Sequence, residues 1–148
     1  MRFSAAEVWG VLCDVPAYPQ WWPDNLPITI ERHDPALRSS AIRLRPRWAP
    51  ELALRFDDCE EAESLVLRCT EGGLDGAVYV RLEPHEEGTR LRIEVDGFAR
   101  GFVAALIGSV VPLDRFHAKH LRRVLRHVNR RLKAKHGDRS VPPPPRNP

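Results

Sequence analysis

Between Ile28 and Val95 apolar and polar residues alternate with a period of two, in six separate runs. Ile28 and Ile30 alternate with Thr29 and Glu31, Ile42 and Leu44 with Arg43, Arg45 and Arg47, and Leu52, Leu54 and Phe56 with Glu51, Ala53, Arg55 and Asp57. Leu65, Leu67 and Cys69 form a fourth run. Val78, Val80 and Leu82 alternate with Tyr79 and Arg81, and Leu91, Ile93 and Val95 with Arg90, Arg92, Glu94 and Asp96. Successive side chains of a strand point to opposite faces, so this pattern predicts a sheet dry on one face and wet on the other. Turn-forming residues separate the runs at Asp34-Pro35, Trp48-Ala49-Pro50, Glu60 to Glu63, Glu71-Gly72-Gly73 and Glu86-Glu87-Gly88. Connections this short make consecutive strands antiparallel neighbours. The prediction is a six-stranded meander.

Two segments have helical spacing instead. Ser4 and Glu7 stand at the S-x-x-E spacing of a capping box, and Val8, Val11 and Leu12 follow on one face. Asp14, Pro16 and Pro19 are predicted to end this helix, since proline lacks an N–H and restricts its predecessor. Trp21-Trp22-Pro23 comes next. At roughly 1.5–3 kcal/mol for each large apolar side chain buried, two adjacent indoles need a cover. A second helix is predicted from about Phe102 to Lys135. Its first turns, Phe102 to Val111, are apolar nearly all round, and Pro112 should kink or split it. Beyond the proline, Leu113, Phe116, His120, Leu121, Val124, Leu125, Val128 and Leu132 form one stripe amid Arg115, Lys119, Arg122, Arg123, Arg126, Arg130 and Lys133. The stripe is predicted to cover the dry face of the sheet. Gly137 is expected to stop the helix, leaving one domain over residues 1–136 and a proline-rich, disordered tail over 137–148.

Composition fits one globular domain, with 148 residues, 43% of them hydrophobic. The net charge of +3 hides a split: residues 1–101 carry 12 Lys/Arg against 18 Asp/Glu, whereas 102–136 carry nine basic residues against Asp114 alone. Three cysteines, Cys13, Cys59 and Cys69, have no C-x-x-C spacing and read as free thiols in a reducing compartment. No signal peptide is evident, and the ten apolar residues from Phe102 fall short of the roughly 20 that span a bilayer. The expected location is cytoplasmic.

From Glu7-Val8-Trp9 through Leu12, Asp14, Tyr18-Pro19 and Trp21-Trp22-Pro23, the chain resembles the polyketide cyclase/dehydrase branch of the START-like (SRPBCC) superfamily. The resemblance continues through Gly76 to Pro84, Gly88-Thr89-Arg90-Leu91 and the long C-terminal helix, about Ser4 to His136 in all. It implies an α+β helix-grip fold, a curved antiparallel sheet wrapped around a long C-terminal helix with a ligand cavity between them. It does not imply one activity. Members normally begin with a strand before the first helix, and Met1-Arg2-Phe3 is too short to supply one of typical length. The sheet then has a bare edge, and a homodimer through that edge is expected.

Inward positions are almost all apolar, with Asp58, Cys69, His117 and His120 as the few polar exceptions, which favours a binding protein for a hydrophobic small molecule: a lipid, isoprenoid or polyketide-like ring system. The expected wall is Trp22, Leu44, Leu54, Phe56, Leu67, Val80, Ile93, Phe98, Phe102, Leu106, Val110 and Phe116, with His120 as the polar contact. Gly97 and Gly101 flank Phe98 and suggest a flexible gate. No cofactor and no metal are expected. His117 and His120 stand at i and i+3, but no third ligand has a diagnostic spacing. No catalytic residue is assigned. The rival reading is a cyclase or dehydrase in which His120 or Asp58 moves protons. A third is an interaction module using the basic helix, for which peripheral membrane contact fits better than nucleic acid. Arg43, Arg45 and Arg47 read as partners of Glu51, Asp57 and Asp58 in cross-strand ion pairs.

Overall fold

A computed structural model describes residues 2–46, 51–72, 74–99 and 113–139; side chains at 72, 74, 97–99, 113–120, 138 and 139 are outside that description. The capping box forms as expected. The Ser4 hydroxyl accepts from the Glu7 N–H at 3.3 Å, and the Glu7 carboxylate accepts from the Ser4 N–H at 2.9 Å. Helix α1 (Ala5–Leu12) follows and buries Val8, Val11 and Leu12.

The proline-rich stretch after it is helical rather than a plain turn. A 3-10 turn covers Val15–Ala17, and a one-turn helix α2 covers Tyr18–Trp21. Pro16 and Pro19 each occupy a first-turn position, where the missing N–H would have had no intrahelical partner.

Six strands follow: β1 (Ile28–Arg32), β2 (Ala41–Leu44), β3 (Leu52–Glu60), β4 (Ser64–Gly72), β5 (Leu74–His85) and β6 (Gly88–Ala99). They pair antiparallel in sequence order, β1-β2-β3-β4-β5-β6, so the meander is as predicted. Among the described residues no strand precedes α1, and the sheet stays open. The last element is α3 (Leu113–Arg139), which begins immediately after Pro112. It runs through Gly137 instead of stopping there. Nothing lies within 4 Å of a side chain built at that glycine, so it sits in open space at the modest helix-propensity cost of any exposed glycine. The apolar run 102–112 and the tail beyond 139 lie outside the described residues.

Register explains one further correction. Strict alternation after Leu54 and Phe56 would turn Asp58 inward. A β-bulge between Phe56 and Asp58 inserts Asp57, so that Phe56 pairs with Leu67, Asp58 with Val66 and Cys59 with Leu65. Cys59 therefore takes the inward place beside the core, and Asp58 is exposed. Tyr79 pairs with Val66 and Glu94, out of phase with the inward Val78 and Val80.

The outer face is held by ion pairs. Arg43 Nη2 lies 2.9 Å from Glu71 and Nη1 3.5 Å from Glu51, and its Nε donates to Glu31. Arg45 reaches Glu51 at 2.9 Å, and Arg68 reaches the bulged Asp57 at 2.8 Å. Of the expected partners, Glu51 meets both Arg43 and Arg45, whereas Asp57 pairs with Arg55 and Arg68 and Asp58 accepts from the Cys59 N–H; Glu31 and Glu71 complete the set around Arg43. Arg47 is outside the described residues.

The core lies at one end of the sheet. Val8, Val11, Leu12 and Val15 meet Val128 and Leu132 of α3 and the buried strand residues Ile42, Phe56, Leu65 and Leu82. The C-terminal half of α3 thus packs on α1 and α2, with Val128 and Leu132 in the same buried cluster as the strand residues.

Candidate functional site

Pairing lines up the inward residues of all six strands. One row runs Ile30, Ile42, Leu54, Cys69; the next runs Phe56, Leu67, Val78, Val95; a third runs Cys59, Leu65, Val80, Ile93. The product is one continuous apolar surface. Leu44, Leu54, Phe56, Leu67, Val80 and Ile93 of the expected wall all lie on it.

Cover over this surface is uneven, and the unevenness defines the candidate site. Phe56 is 0% exposed and Val80 6%, but Val78 and Ile93 are half-buried and Val95 is 41% exposed. The same gradient holds on β3, from buried Leu54 to half-buried Leu52, and on β4, from buried Leu67 to half-buried Cys69. Exposure rises toward the end of the sheet where β3 begins and β6 finishes. Phe56 is thus packed into the core, while the accessible apolar surface belongs to Leu52, Cys69, Val78, Ile93 and Val95. Val78, Cys69 and Leu52 carry it, although none of them stands in the expected wall. Their inward parity was legible, but their degree of cover was not.

Phe98 pairs with Asp75 in β6, and its side chain is outside the description, as are those of Phe116 and His120. Phe102, Leu106 and Val110 lie outside the described residues, and so does Gly101 of the expected gate.

The described inward positions carry little acid–base chemistry. Cys13, Cys59 and Cys69 are half-buried thiols, and burial pushes the pKa of each up, that of Cys13 to about 12. A thiol must ionise to act as a nucleophile, so burial disarms all three. Asp58, exposed, accepts from the Cys59 N–H at 2.9 Å. Among the described residues no three His, Cys, Asp or Glu side chains gather as a metal would need, and no helix is long and apolar enough to cross a membrane.

Trp21 and Trp22 join the apolar surface at its α2 end. The Tyr18 hydroxyl donates to the Leu12 carbonyl and fixes the ring, which stacks on Trp22 with centroids 5.3 Å apart and meets Trp21 edge-on at 5.2 Å. Both indoles are half-buried against the core. His127 of α3 reaches across to this cluster, with Nδ1 2.7 Å from the Trp21 carbonyl oxygen. That contact holds the Nδ1–H tautomer and leaves Nε2 for another partner. Reading α3 for its apolar stripe passed over His127. It follows His120 and Val124 at helical spacing and precedes Arg131 by four, so the same period places it on their face.

A pocket of about 290 Å³ opens beside His127. Trp21, Trp22 and Asp24 line one side, and His127, Arg130 and Arg131 the other. Trp21 Nε1, Trp22 Nε1 and Arg131 Nε are themselves buried, closed to solvent and without a hydrogen-bond partner. Leaving a buried donor unpaired costs about 1–3 kcal/mol each.

Comparison with known proteins gives a consistent picture. The model of the family described as polyketide cyclase / dehydrase and lipid transport matches residues 2–137. No curated protein matches significantly. Among solved structures, protein Ms6760 from Mycobacterium smegmatis superposes with a TM-score of 0.63 at 18% identity, over 92% of this chain and 88% of that one. Protein CV1439 from Chromobacterium violaceum gives 0.61 at 14%, over 86% and 89%. The Zhui aromatase/cyclase from Streptomyces sp. R1128 gives 0.57 at 21%, over 93% and 87%. At these identities the likeness shows the helix-grip fold alone.

Proposed function

The chain belongs to the polyketide cyclase / dehydrase and lipid transport family, and from that premise we propose that it binds an apolar small molecule between the sheet and α3. The observation that carries this reading is the exposure gradient from Val80 through Val78 to Val95. A folded chain gains by burying such surface, at roughly 25 cal/mol per Å². A ligand covering about 200 Å² of it would contribute about 5 kcal/mol before the cost of its own ordering. The inward residues offer shape and apolar contact with few directional groups, which suits a binder or carrier of a lipid, isoprenoid or polyketide-like ring.

A second reading is an enzyme of the cyclase/dehydrase type, favoured by the likeness to an aromatase/cyclase. Such chemistry needs a proton-transfer group in reach of the substrate. Among the described residues, the inward thiols are held protonated by burial and Asp58 is exposed. Binding without turnover is therefore the better-supported role.

Native mass spectrometry of protein purified from its own host tests the proposal. An apolar molecule retained in the folded protein and lost on unfolding supports it. Its absence, together with failure to bind any apolar probe, contradicts it. His120→Gln separates the two readings: a binder keeps its affinity within about tenfold, whereas a cyclase loses most of its turnover.

A further inference from the structure

β6 forms one edge of the sheet, with β5 on one side and, among the described residues, no strand on the other. It contains no proline and pairs with β5 in unbroken register from Gly88 to Ala99. The opposite edge, β1, has five residues and a bulge between Ile30 and Arg32. Short length and bulges discourage pairing with another chain, so β1 is guarded and β6 is not. On the outer face of β6 the charges run Arg90, Arg92, Glu94, Asp96, and all four residues are exposed. Leu91, Ile93 and Val95 alternate with them on the apolar face, the first two half-buried and Val95 exposed. Arg92 lies opposite Arg81 of β5 and meets its own Glu94 at 2.6 Å. With a like charge on its occupied side, Arg92 favours a carboxylate on the other.

We infer that β6 pairs antiparallel with β6 of a second copy of this chain, about a two-fold axis at Ile93. That register sets Arg92 opposite the partner's Glu94 and Arg90 opposite the partner's Asp96, each pair occurring again by symmetry. Leu91 then lies beside the partner's Val95, and the apolar face continues across the interface on one side of the joined sheets. Moving the pairing by one residue would set the apolar face of one copy level with the charged face of the other. The next registers that match the faces put the axis at Arg92 or at Glu94. Each of these brings a charge against its own copy, which cross-strand pairing disfavours. The homodimer expected from the residues thus gains a strand and a register. Pairing flanks Val95 from the side and leaves the apolar face unroofed, so this inference does not rest on ligand binding, and either can fail alone.

Sedimentation equilibrium of the full chain over a concentration series tests it. A reversible dimer is expected, weaker in molar salt, where exposed charges are screened. Arg92→Glu and Glu94→Arg should each weaken it about tenfold, since each sets like charges opposite one another at two symmetric places. An equimolar mixture of these two variants should form a mixed dimer within about threefold of parental strength, because every Glu at 92 or 94 then faces an Arg of the other chain. The ion pair between Arg92 and Glu94 within one chain is lost in both variants, so recovery on mixing reads the contact between chains. Both positions are exposed, where substitutions seldom disturb folding. Should either variant fail to fold, Arg90→Glu mixed with Asp96→Arg gives the same reading from the outer pair. A monomeric mass at about 1 mM chain overturns the inference and leaves this edge to a strand of a different protein. A dimer that the variants leave unchanged, or a mixture that forms no mixed dimer, overturns it as well.

Discussion

Nδ1 of His127 lies 2.7 Å from the carbonyl oxygen of Trp21, joining residues 106 apart in sequence and tying α3 to α2. The contact decides where the tryptophan pair sits, because the Trp21 backbone is held from the helix side while Tyr18 holds both indole rings. His127→Ala removes one part-buried hydrogen bond and should cost about 1 kcal/mol in urea unfolding. Nitrogen NMR of the neutral ring should find the proton on Nδ1. A proton on Nε2 would contradict the assignment.

The capping box makes an acid-sensitive joint. Ser4, through its backbone N–H and then its hydroxyl, holds the Glu7 carboxyl below its ordinary value of 4.5, with His136 3.5 Å away adding to the effect. A lowered folded-state pKa stabilises the fold above pH 4.5, and that contribution is lost as pH falls through the folded value. Ser4→Ala should cost about 1 kcal/mol at neutral pH. Glu7→Gln should flatten the loss of stability below pH 4.5, as read from melting temperatures over an acid series.

The thiols and Tyr18 set the alkaline limit. Burial raises the pKa of Cys13 from 9.0 to about 12 and raises that of Tyr18, which is fully enclosed. Raised values mean that the folded state keeps protons the unfolded chain releases, so stability is complete below pH 9 and declines as pH climbs toward 12. Cys13→Ala should make that decline shallower. At pH 8 the thiols should react with a disulfide reagent far more slowly than in urea. Equal rates in the two conditions would show that burial does not protect them.

On the outer face, Arg43 donates hydrogen bonds to Glu71 and to Glu31, and these raise its pKa further. One guanidinium bridging carboxylates on β1, the turn before β3, and β4 staples strands that are not all adjacent. Arg43→Gln should lower the melting temperature, and the difference should shrink in molar salt, where exposed charges are screened. A difference that persists in salt would point to lost packing of the side-chain stem instead.

Much of this architecture was legible in the residues. Alternation from Ile28 to Val95 fixed six strands and their inward parity, because one buried face leaves little freedom of register. Ser4 and Glu7 marked the start of α1. What failed was local. The bulge at Asp57 reversed the expected facing of Asp58, since a single inserted residue leaves no trace in an alternating pattern. Pro16 and Pro19 do follow the end of α1 at Leu12, but each also opens a further short helix at a first-turn position that tolerates it, which their spacing alone does not announce. His127 escaped because its role depends on the Trp21 carbonyl, a backbone atom brought near only by the tertiary fold. The split of the apolar face into packed and accessible ends was equally hidden. It depends on how far α1 and α3 extend over the strands, and Phe56 and Val95 look alike in the sequence.

The most direct test compares the two ends of that face by titrating an uncharged aromatic fluorophore into the full chain. Val78→Thr with Val95→Thr replaces one methyl by a hydroxyl at each site where cover is thin, and should weaken binding about tenfold, at about 0.8 kcal/mol for each methyl lost, while the melting temperature moves little. Val80→Ala, at the packed end, should lower the melting temperature and leave affinity within about twofold. Unchanged affinity in the double variant, or a parent protein that takes up no fluorophore, would contradict an apolar binding face.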